Sequence, residues 1–321
     1  MLMVVGLTSF ASASEDPIKV GVCIYQFNDN FMTLYRTELQ RYLEEKGAVV
    51  TVVDGKNDQA EQTNQINSFI AEGVDVLIIN LVQASAADAV IPLVEAAGIP
   101  TVFINREPFV DDPSQWDNVW DKVCYVGADA RQSGTFQGQL ILNLPDQGDV
   151  NGNGAVDYVM IQGDMENVDA QYRTEFSIKA LTDAGLTVNK LFEQRGEWDQ
   201  AKGQELAATA LAQFGDQIDV IFCNNDGMAL GALQSIKAAG RTVGTDIYLV
   251  GVDALPEVVQ LVESGEFTGT VLNDHIGQSH KAADVALELA GGATPEHTYT
   301  VDYVGVTPET MEYVKGVVGL E

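Results

Sequence analysis

Short runs of β-branched and aromatic residues alternate with longer amphipathic stretches along almost the whole chain, and that alternation leaves few folds open. In the first half, strands are predicted at Ile18–Tyr25, Val49–Val53, Val74–Ile79, Pro100–Ile104 and Val123–Val126. Helical patterns lie between them near Phe31–Lys46, Gln59–Ala71 and Ala86–Ala97. Strand, helix, strand repeated in this way specifies a parallel sheet covered on both faces, because parallel neighbours need a crossover long enough to return the chain. After Gly127 the rhythm pauses at a loop, Pro145–Gly154, and then resumes. Strands are predicted at Asp157–Ile161, Thr187–Glu193, Val220–Cys223, Tyr248–Val252 and Gly269–Leu272. Helices are predicted at Val168–Ala184, Gln200–Phe214, Gly227–Ala239, Pro256–Ser264 and Gln278–Ala290, and the final apolar segments are left unassigned. Two successive α/β units of similar size predict two similar lobes, and 321 residues agree with two domains of roughly 150 residues each.

Charge narrows the partners. The chain carries 17 basic against 47 acidic residues, a net charge of −30. Such a surface repels phosphate backbones and anionic lipid, which excludes nucleic acid and a membrane reached through basic patches. The acidic residues are spread along the chain, so they read as a solvated surface. The N-terminus is an apolar stretch ending in Ala11-Ser12-Ala13, resembling the core and A-x-A cleavage site of a secretory signal. It is too short to span a bilayer and lacks a basic beginning, so residues 1–14 are read as the remnant of a signal peptide. The mature protein is therefore expected to be periplasmic or otherwise extracytoplasmic. Cys23, Cys124 and Cys223 each sit in an apolar strand-like run and are predicted to be buried thiols. None follows the signal-like segment closely enough to carry a lipid anchor, so the mature chain is expected to diffuse freely.

In doubly wound α/β units ligands sit beyond the carboxyl ends of the strands, and those ends are unusually polar here. They carry Asn28-Asp29-Asn30-Phe31, Asn105-Arg106-Glu107-Pro108, and Gly163-Asp164-Met165-Glu166-Asn167-Val168-Asp169 leading to Arg173. Trp198, Asn224-Asn225-Asp226, Val252-Asp253-Ala254 and Leu272-Asn273-Asp274 follow. A sugar needs such a set. Its hydroxyls donate and accept, so carboxylates and amides satisfy both roles, and an Arg fork takes two neighbouring oxygens. The C–H faces of the ring need flat apolar partners, which Phe31 and Trp198 can supply. Asn and Asp after strands also serve as turn residues and helix N-caps, an account as good at any one position. It does not cover seven strand ends together with two aromatics and an Arg.

One loop has a metal-like pattern. Asp149, Asn151, Asn153, Gly154 and Ala155 match the beginning of D-x-[DN]-x-[DN]-G, in which alternate oxygens converge and the glycine permits a sharp turn. The glutamate that closes an EF-hand at its twelfth position is absent, with Met160 in its place, so a calcium site would need a carboxylate from elsewhere. An Asx-rich turn without metal is the alternative.

These residues together resemble the periplasmic glucose/galactose-binding proteins of bacterial sugar ABC transporters. The similarity covers nearly the whole chain after the signal-like segment, including Asn80-Leu81-Val82, Tyr125-Val126-Gly127, Gly251-Val252-Asp253-Ala254-Leu255-Pro256 and Thr270-Val271-Leu272-Asn273-Asp274. The resemblance implies a type I periplasmic binding protein fold, two doubly wound parallel-sheet lobes joined by a three-segment hinge. Residues 15–126 and 274–302 would form the N-terminal lobe, and residues 127–273 and 303–321 the C-terminal lobe with a calcium-binding-like loop at 149–157. It also implies sugar-contacting carboxylates at Asp29, Asp169 and Asp253, amides at Asn105, Asn225 and Asn273, a guanidinium at Arg173, and an aromatic sandwich of Phe31 and Trp198. Asn167 stands where the family has a ligand histidine, which opens the choice among hexoses and pentoses. Calcium would be held by Asp149, Asn151, Asn153, the Ala155 carbonyl and Asp157, with Asp219 in place of a distant glutamate. The partners implied are a monosaccharide, glucose or galactose first, the membrane permease of an ABC transporter, and a chemoreceptor as a second reader of the closed form.

Rival classes lack their signatures. A nicotinamide dehydrogenase would need G-x-G-x-x-G after the first strand, and Tyr25–Phe31 contains no glycine. There is no P-loop, nucleophile elbow or H-E-x-x-H, and His275 and His280 without a third ligand read as ordinary surface residues. No enzyme is expected. A sugar-responsive repressor would need a basic helix-turn-helix where the signal-like run stands. A sugar-sensing receptor ectodomain remains compatible with the sequence.

Overall fold

The structure is a computed structural model that describes residues 16–110 and 112–320. The signal-like segment expected at residues 1–14 lies outside the described residues. The first half runs β1 (Lys19–Ile24), α1 (Asn30–Glu45), β2 (Val49–Asp54), α2 (Gln59–Glu72), β3 (Val76–Ile79), α3 (Ala87–Ala97), β4 (Thr101–Ile104) and β5 (Val123–Gly127). The second runs α4 (Ala130–Leu142), β6 (Val156–Gln162), α5 (Val168–Asp183), β7 (Val188–Arg195), α6 (Gln200–Phe214), β8 (Val220–Cys223), α7 (Asp226–Ala238), β9 (Tyr248–Val250), α8 (Pro256–Glu263) and β10 (Val271–Leu272). The chain ends with α9 (His275–Ala290), β11 (Thr298–Thr300), β12 (Val304–Gly305) and α10 (Met311–Val317).

The strands form a six-stranded sheet, β11-β5-β4-β3-β1-β2, and a four-stranded sheet, β7-β6-β8-β9, parallel throughout. In each unit the first strand lies between the second and third, so the order reverses beside it. A crevice opens at that reversal, because the crossovers on either side leave to opposite faces. Central strands are buried on both faces, as β3, β4 and β5 are along their whole length, which explains their unbroken apolar runs. Edge strands β2 and β7 are only partly buried. β10 and β12 pair antiparallel as a separate small ribbon, the one departure from parallel pairing among the described strands.

Helices cover both faces of each sheet. Tyr35, Leu39 and Leu43 of α1 and Val285 and Leu289 of α9 share one core with β1, β3 and β4, while Ile66, Phe69, Val90 and Val94 of α2 and α3 fill the other side. In the second unit Leu211, Met228 and Leu233 of α6 and α7 cover one face, and Ile141 and Leu181 of α4 and α5 the other. The chain passes between the two units three times: from β5 into α4, from β10 into α9, and from β11 to β12.

Two helices, α4 and α9, depart from expectation. α4 has no counterpart among the predicted helices because Gly134 and Gly138 interrupt its apolar period and weaken the helical signal. The same glycines let α4 lie against α5, where a Cβ on Gly138 would stand 2.5 Å from the Ser177 carbonyl oxygen. α9 begins at His275 and not at Gln278, since the Asp274 carboxylate accepts the Gly277 N–H at 2.8 Å and starts the helix a turn earlier. That also corrects the reading of His275 as a surface residue: it is buried in the first turn, and burial holds its pKa below the usual histidine value. His280 is half-buried, stacked on Tyr42 and bonded to Glu38 at 2.6 Å. The three cysteines are free and buried, as expected.

Candidate functional site

The carboxyl ends of the two sheets face each other across a cavity whose empty space, counted together with the open solvent at its mouth, is about 310 Å³. Its lining contains all ten residues singled out from the strand ends and the resemblance, Asp29 through Asn273, together with Tyr25, Met32 and Arg106. Phe31 comes from the first unit and Trp198 from the second, so the two aromatics reach one space from opposite walls.

Both accounts of the strand-end Asx residues hold at once. Asp29 Oδ1 accepts the Met32 N–H at 2.7 Å and caps α1; Asn167 Oδ1 caps α5 through Asp169 N at 3.0 Å; Asn225 Oδ1 caps α7 through Met228 N at 2.9 Å. Capping fixes one atom of each side chain, and two of the remaining atoms have a second protein partner: Asp29 Oδ2 accepts the Tyr25 hydroxyl at 2.7 Å and Asn225 Nδ2 donates to the Trp198 carbonyl at 3.3 Å. The Asn273 oxygen is likewise taken, by Gln278 Nε2 at 2.6 Å, while its amide nitrogen lies 3.4 Å from Asp253 Oδ1. Asn105, Trp198 and Asp253 adopt φ of 61°, 65° and 124°, conformations that non-glycine residues take only when their surroundings impose them.

Charge is concentrated on the second wall. Arg173 Nη2 donates to Asp169 Oδ2 at 3.2 Å and to the Tyr303 hydroxyl oxygen at 3.0 Å, while Nη1 donates to the Asn224 carbonyl at 2.8 Å and lies 3.8 Å from Asp253 Oδ1. Burial pushes both Asp169 and Asp253 above the usual carboxylate range, opposed by the Arg173 charge. Carboxylates in that position gain most from added hydrogen-bond donors. The Nε groups of Arg106 and Arg173 are buried without a protein partner, so each side chain retains a donor.

The sequence reading left several contributors unselected. Arg106 of the first unit pairs with Asp164 of the second at 2.7 Å, and the same carboxylate oxygen accepts the Trp198 indole N–H at 2.6 Å. Arg106 also donates to the Val82 carbonyl and lies over the Tyr25 ring, 4.0 Å from its centre. Tyr25 in turn gives its hydroxyl to Asp29 Oδ2 at 2.7 Å. Arg106 and Asp164 stand in the strand-end runs that contain them; Tyr25 falls inside the predicted strand Ile18–Tyr25 but lies just beyond β1 in the structure, and Tyr303 is 130 residues from Arg173. The Arg106–Asp164 pair, with Leu34 of α1 packed against the second core, holds the two walls together.

The six residues of the metal-like loop also lie together. Asp149 accepts the Asn153 and Gly154 N–H groups at 3.0 and 2.9 Å. The two Asp219 oxygens accept Asn151 N at 3.0 Å and Asp157 N at 2.9 Å, and the Asn153 amide donates to Asp157 Oδ2 at 2.6 Å. Among the described residues no cluster of three or more His, Cys, Asp or Glu is poised to hold a metal.

With this geometry in place, comparison with known proteins gives a consistent picture. A profile of the periplasmic binding protein domain matches residues 20–294. The D-galactose/methyl-galactoside binding periplasmic protein MglB of Haemophilus influenzae is 33% identical over 95% of this chain and 94% of its own length. The ribose import binding protein RbsB of Salmonella typhimurium is 25% identical over 88% of each chain. The crystal structure of an ABC transporter solute binding protein from Bacillus halodurans with bound myo-inositol superposes with a TM-score of 0.81 at 25% identity, covering 95% of this chain and 99% of that one.

The site generates one prediction about its second wall. A methyl group on Gly163 would overlap the Trp198 indole ring, so Gly163→Ala should displace that ring at a cost of about 1–3 kcal/mol. Denaturant unfolding together with tryptophan emission checks this; unchanged stability and an unchanged spectrum would contradict the placement of Trp198.

Proposed function

The chain belongs to the periplasmic binding protein family, and from that premise we propose that it captures a monosaccharide, glucose or galactose first, between its two units and delivers it to an ABC transporter permease. The observation that carries this reading is the cavity lining: Phe31 and Trp198 from opposite walls, three carboxylates, four amides and two guanidinium groups converge on one space. Ring hydroxyls would donate to Asp29, Asp169 and Asp253 and accept from the amides and Arg173, while Phe31 and Trp198 cover the two faces of the ring. Contacts drawn from both walls favour the closed form, and the three connecting segments are the natural hinge. No bond is made or broken. A chemoreceptor is a second candidate reader of the closed form, and residues 1–14 fit export through a signal peptide. A pentose is the alternative ligand, since Asn167 reaches less far than a histidine, and RbsB is named for ribose.

Calcium belongs to the same proposal. The donors of the 149–157 loop are all oxygens, the set that suits a hard cation, and the charges of Asp157 and Asp149 both act on Asp219. Burial pushes Asp219 above the usual carboxylate range, and the Asp157 and Asp149 charges add to it against two backbone hydrogen bonds. Asp149, Asn151, Asn153, the Ala155 carbonyl, Asp157 and Asp219 would hold the ion, and its charge would offset their repulsion.

Calorimetric titration with glucose, galactose, ribose and xylose should give saturable binding of at least one sugar, weakened by about 2 kcal/mol in Trp198→Ala; binding of none contradicts the proposal. For the loop, saturating calcium at a hundred times its Kd should add about 2.7 kcal/mol of stability. A melting temperature unmoved by a chelator would remove calcium from the account.

A further inference from the structure

Asn80 directly follows β3 in a fully buried position behind the cavity, one of the residues through which the sequence resembles its family yet without a role so far. Its main chain is tied down on both sides: the N–H donates to Cys23 O at 2.8 Å, and the carbonyl accepts Gln62 Nε2 at 2.8 Å. Its side chain is tied down by groups with no choice of role. Oδ1 accepts the Tyr25 main-chain N–H at 3.3 Å, which can only donate. Nδ2 donates to the Ile104 carbonyl at 3.2 Å, which can only accept. These two partners decide which end of the Asn80 amide is nitrogen. Nδ2 also lies 3.1 Å from Asn105 Oδ1, so only the oxygen of Asn105 can face it.

We propose that Asn80 is a positioning residue that locks the Asn105 amide with its oxygen inward and its N–H2 toward the cleft, so that Asn105 meets the ligand as a donor only. This rests on the sugar-binding reading of the cleft and adds a constraint to it. The other three cleft amides have their oxygens committed too, to Asp169 N, Met228 N and Gln278 Nε2. All four amides therefore offer N–H groups, and the acceptors come from the carboxylates. Asn105 needs its lock most, because its own backbone, with φ of 61°, lies in a conformation that no helix cap stabilises.

The test titrates galactose and glucose into the full chain. Asn80→Asp puts a carboxylate oxygen where Nδ2 stood, and Asn105 can satisfy it only by turning its N–H2 inward and its oxygen to the ligand. The expected result is at least about tenfold weaker binding than wild type. In an Asn105→Ala background the same change should alter affinity by no more than about twofold, since Asn80 acts through Asn105. Should Asn80→Asp fail to fold, Asn80→Ser is read the same way, with an expected loss of about threefold that also vanishes without the Asn105 amide. Wild-type affinity in a folded Asn80 variant overturns the proposal, as does a loss that persists undiminished in Asn105→Ala. A wild-type chain that binds neither sugar overturns this proposal for those ligands before any variant is read; if it binds none of the four sugars, the cleft reading falls with it.

Discussion

Four carboxylates, Asp29, Asp164, Asp169 and Asp253, and two guanidinium groups are held almost out of water between two parallel sheets, and the architecture around them is arranged to make that tolerable. Isolated buried charges cost several kcal/mol each, so they persist only when paired and hydrogen-bonded. Here Arg173 serves Asp169 and Asp253 on one wall, and Arg106 reaches across from the other wall to Asp164. The pairing is incomplete: carboxylates outnumber guanidinium groups, and Asp169 and Asp253 are driven toward protonation by burial. A neutral ligand rich in hydroxyls supplies the missing donors without adding charge. An anionic one would deepen the imbalance.

The fold supplies the geometry for this at little cost in special structure. Each sheet reverses its strand order beside its first strand, so each opens a crevice at its carboxyl edge, and the two crevices meet. Helix caps do double duty there. Asp29, Asn167 and Asn225 each spend one atom on a helix N-terminus, which holds the side chain still while it lines the cavity. Behind them, uncharged groups such as Asn80, Tyr25 and Tyr303 fix the orientation of what faces the ligand. Preorganisation of this kind lowers the entropy lost on binding.

Much of this was legible in the sequence because it rests on local rules. Central parallel strands must be apolar on both faces, so β1, β3, β4, β5 and β8 announce themselves, and α6 matches the residues read from its period. The cavity lining was readable for the same reason: ligand groups in such sheets sit immediately after strands. What escaped depends on distant partners. α4 is held by close packing on α5 and not by its own propensity, and the short β11, β12 and α10 are shaped by the strands and cores they join. The units also differ more than their rhythm suggested, with six strands in one sheet and four in the other. Arg106 and Asp164 stood in plain view, but their pairing across 58 positions has no sequence signature.

If both walls grip one ligand, binding must draw them together. Small-angle X-ray scattering on the full chain, with and without a saturating sugar that titration has shown to bind, reads this without labels. The account predicts a smaller radius of gyration and a shorter maximum dimension in the sugar-bound sample. Identical scattering curves from the free and the saturated protein would contradict it, because the ligand would then be held by one wall or by a cleft that never opens.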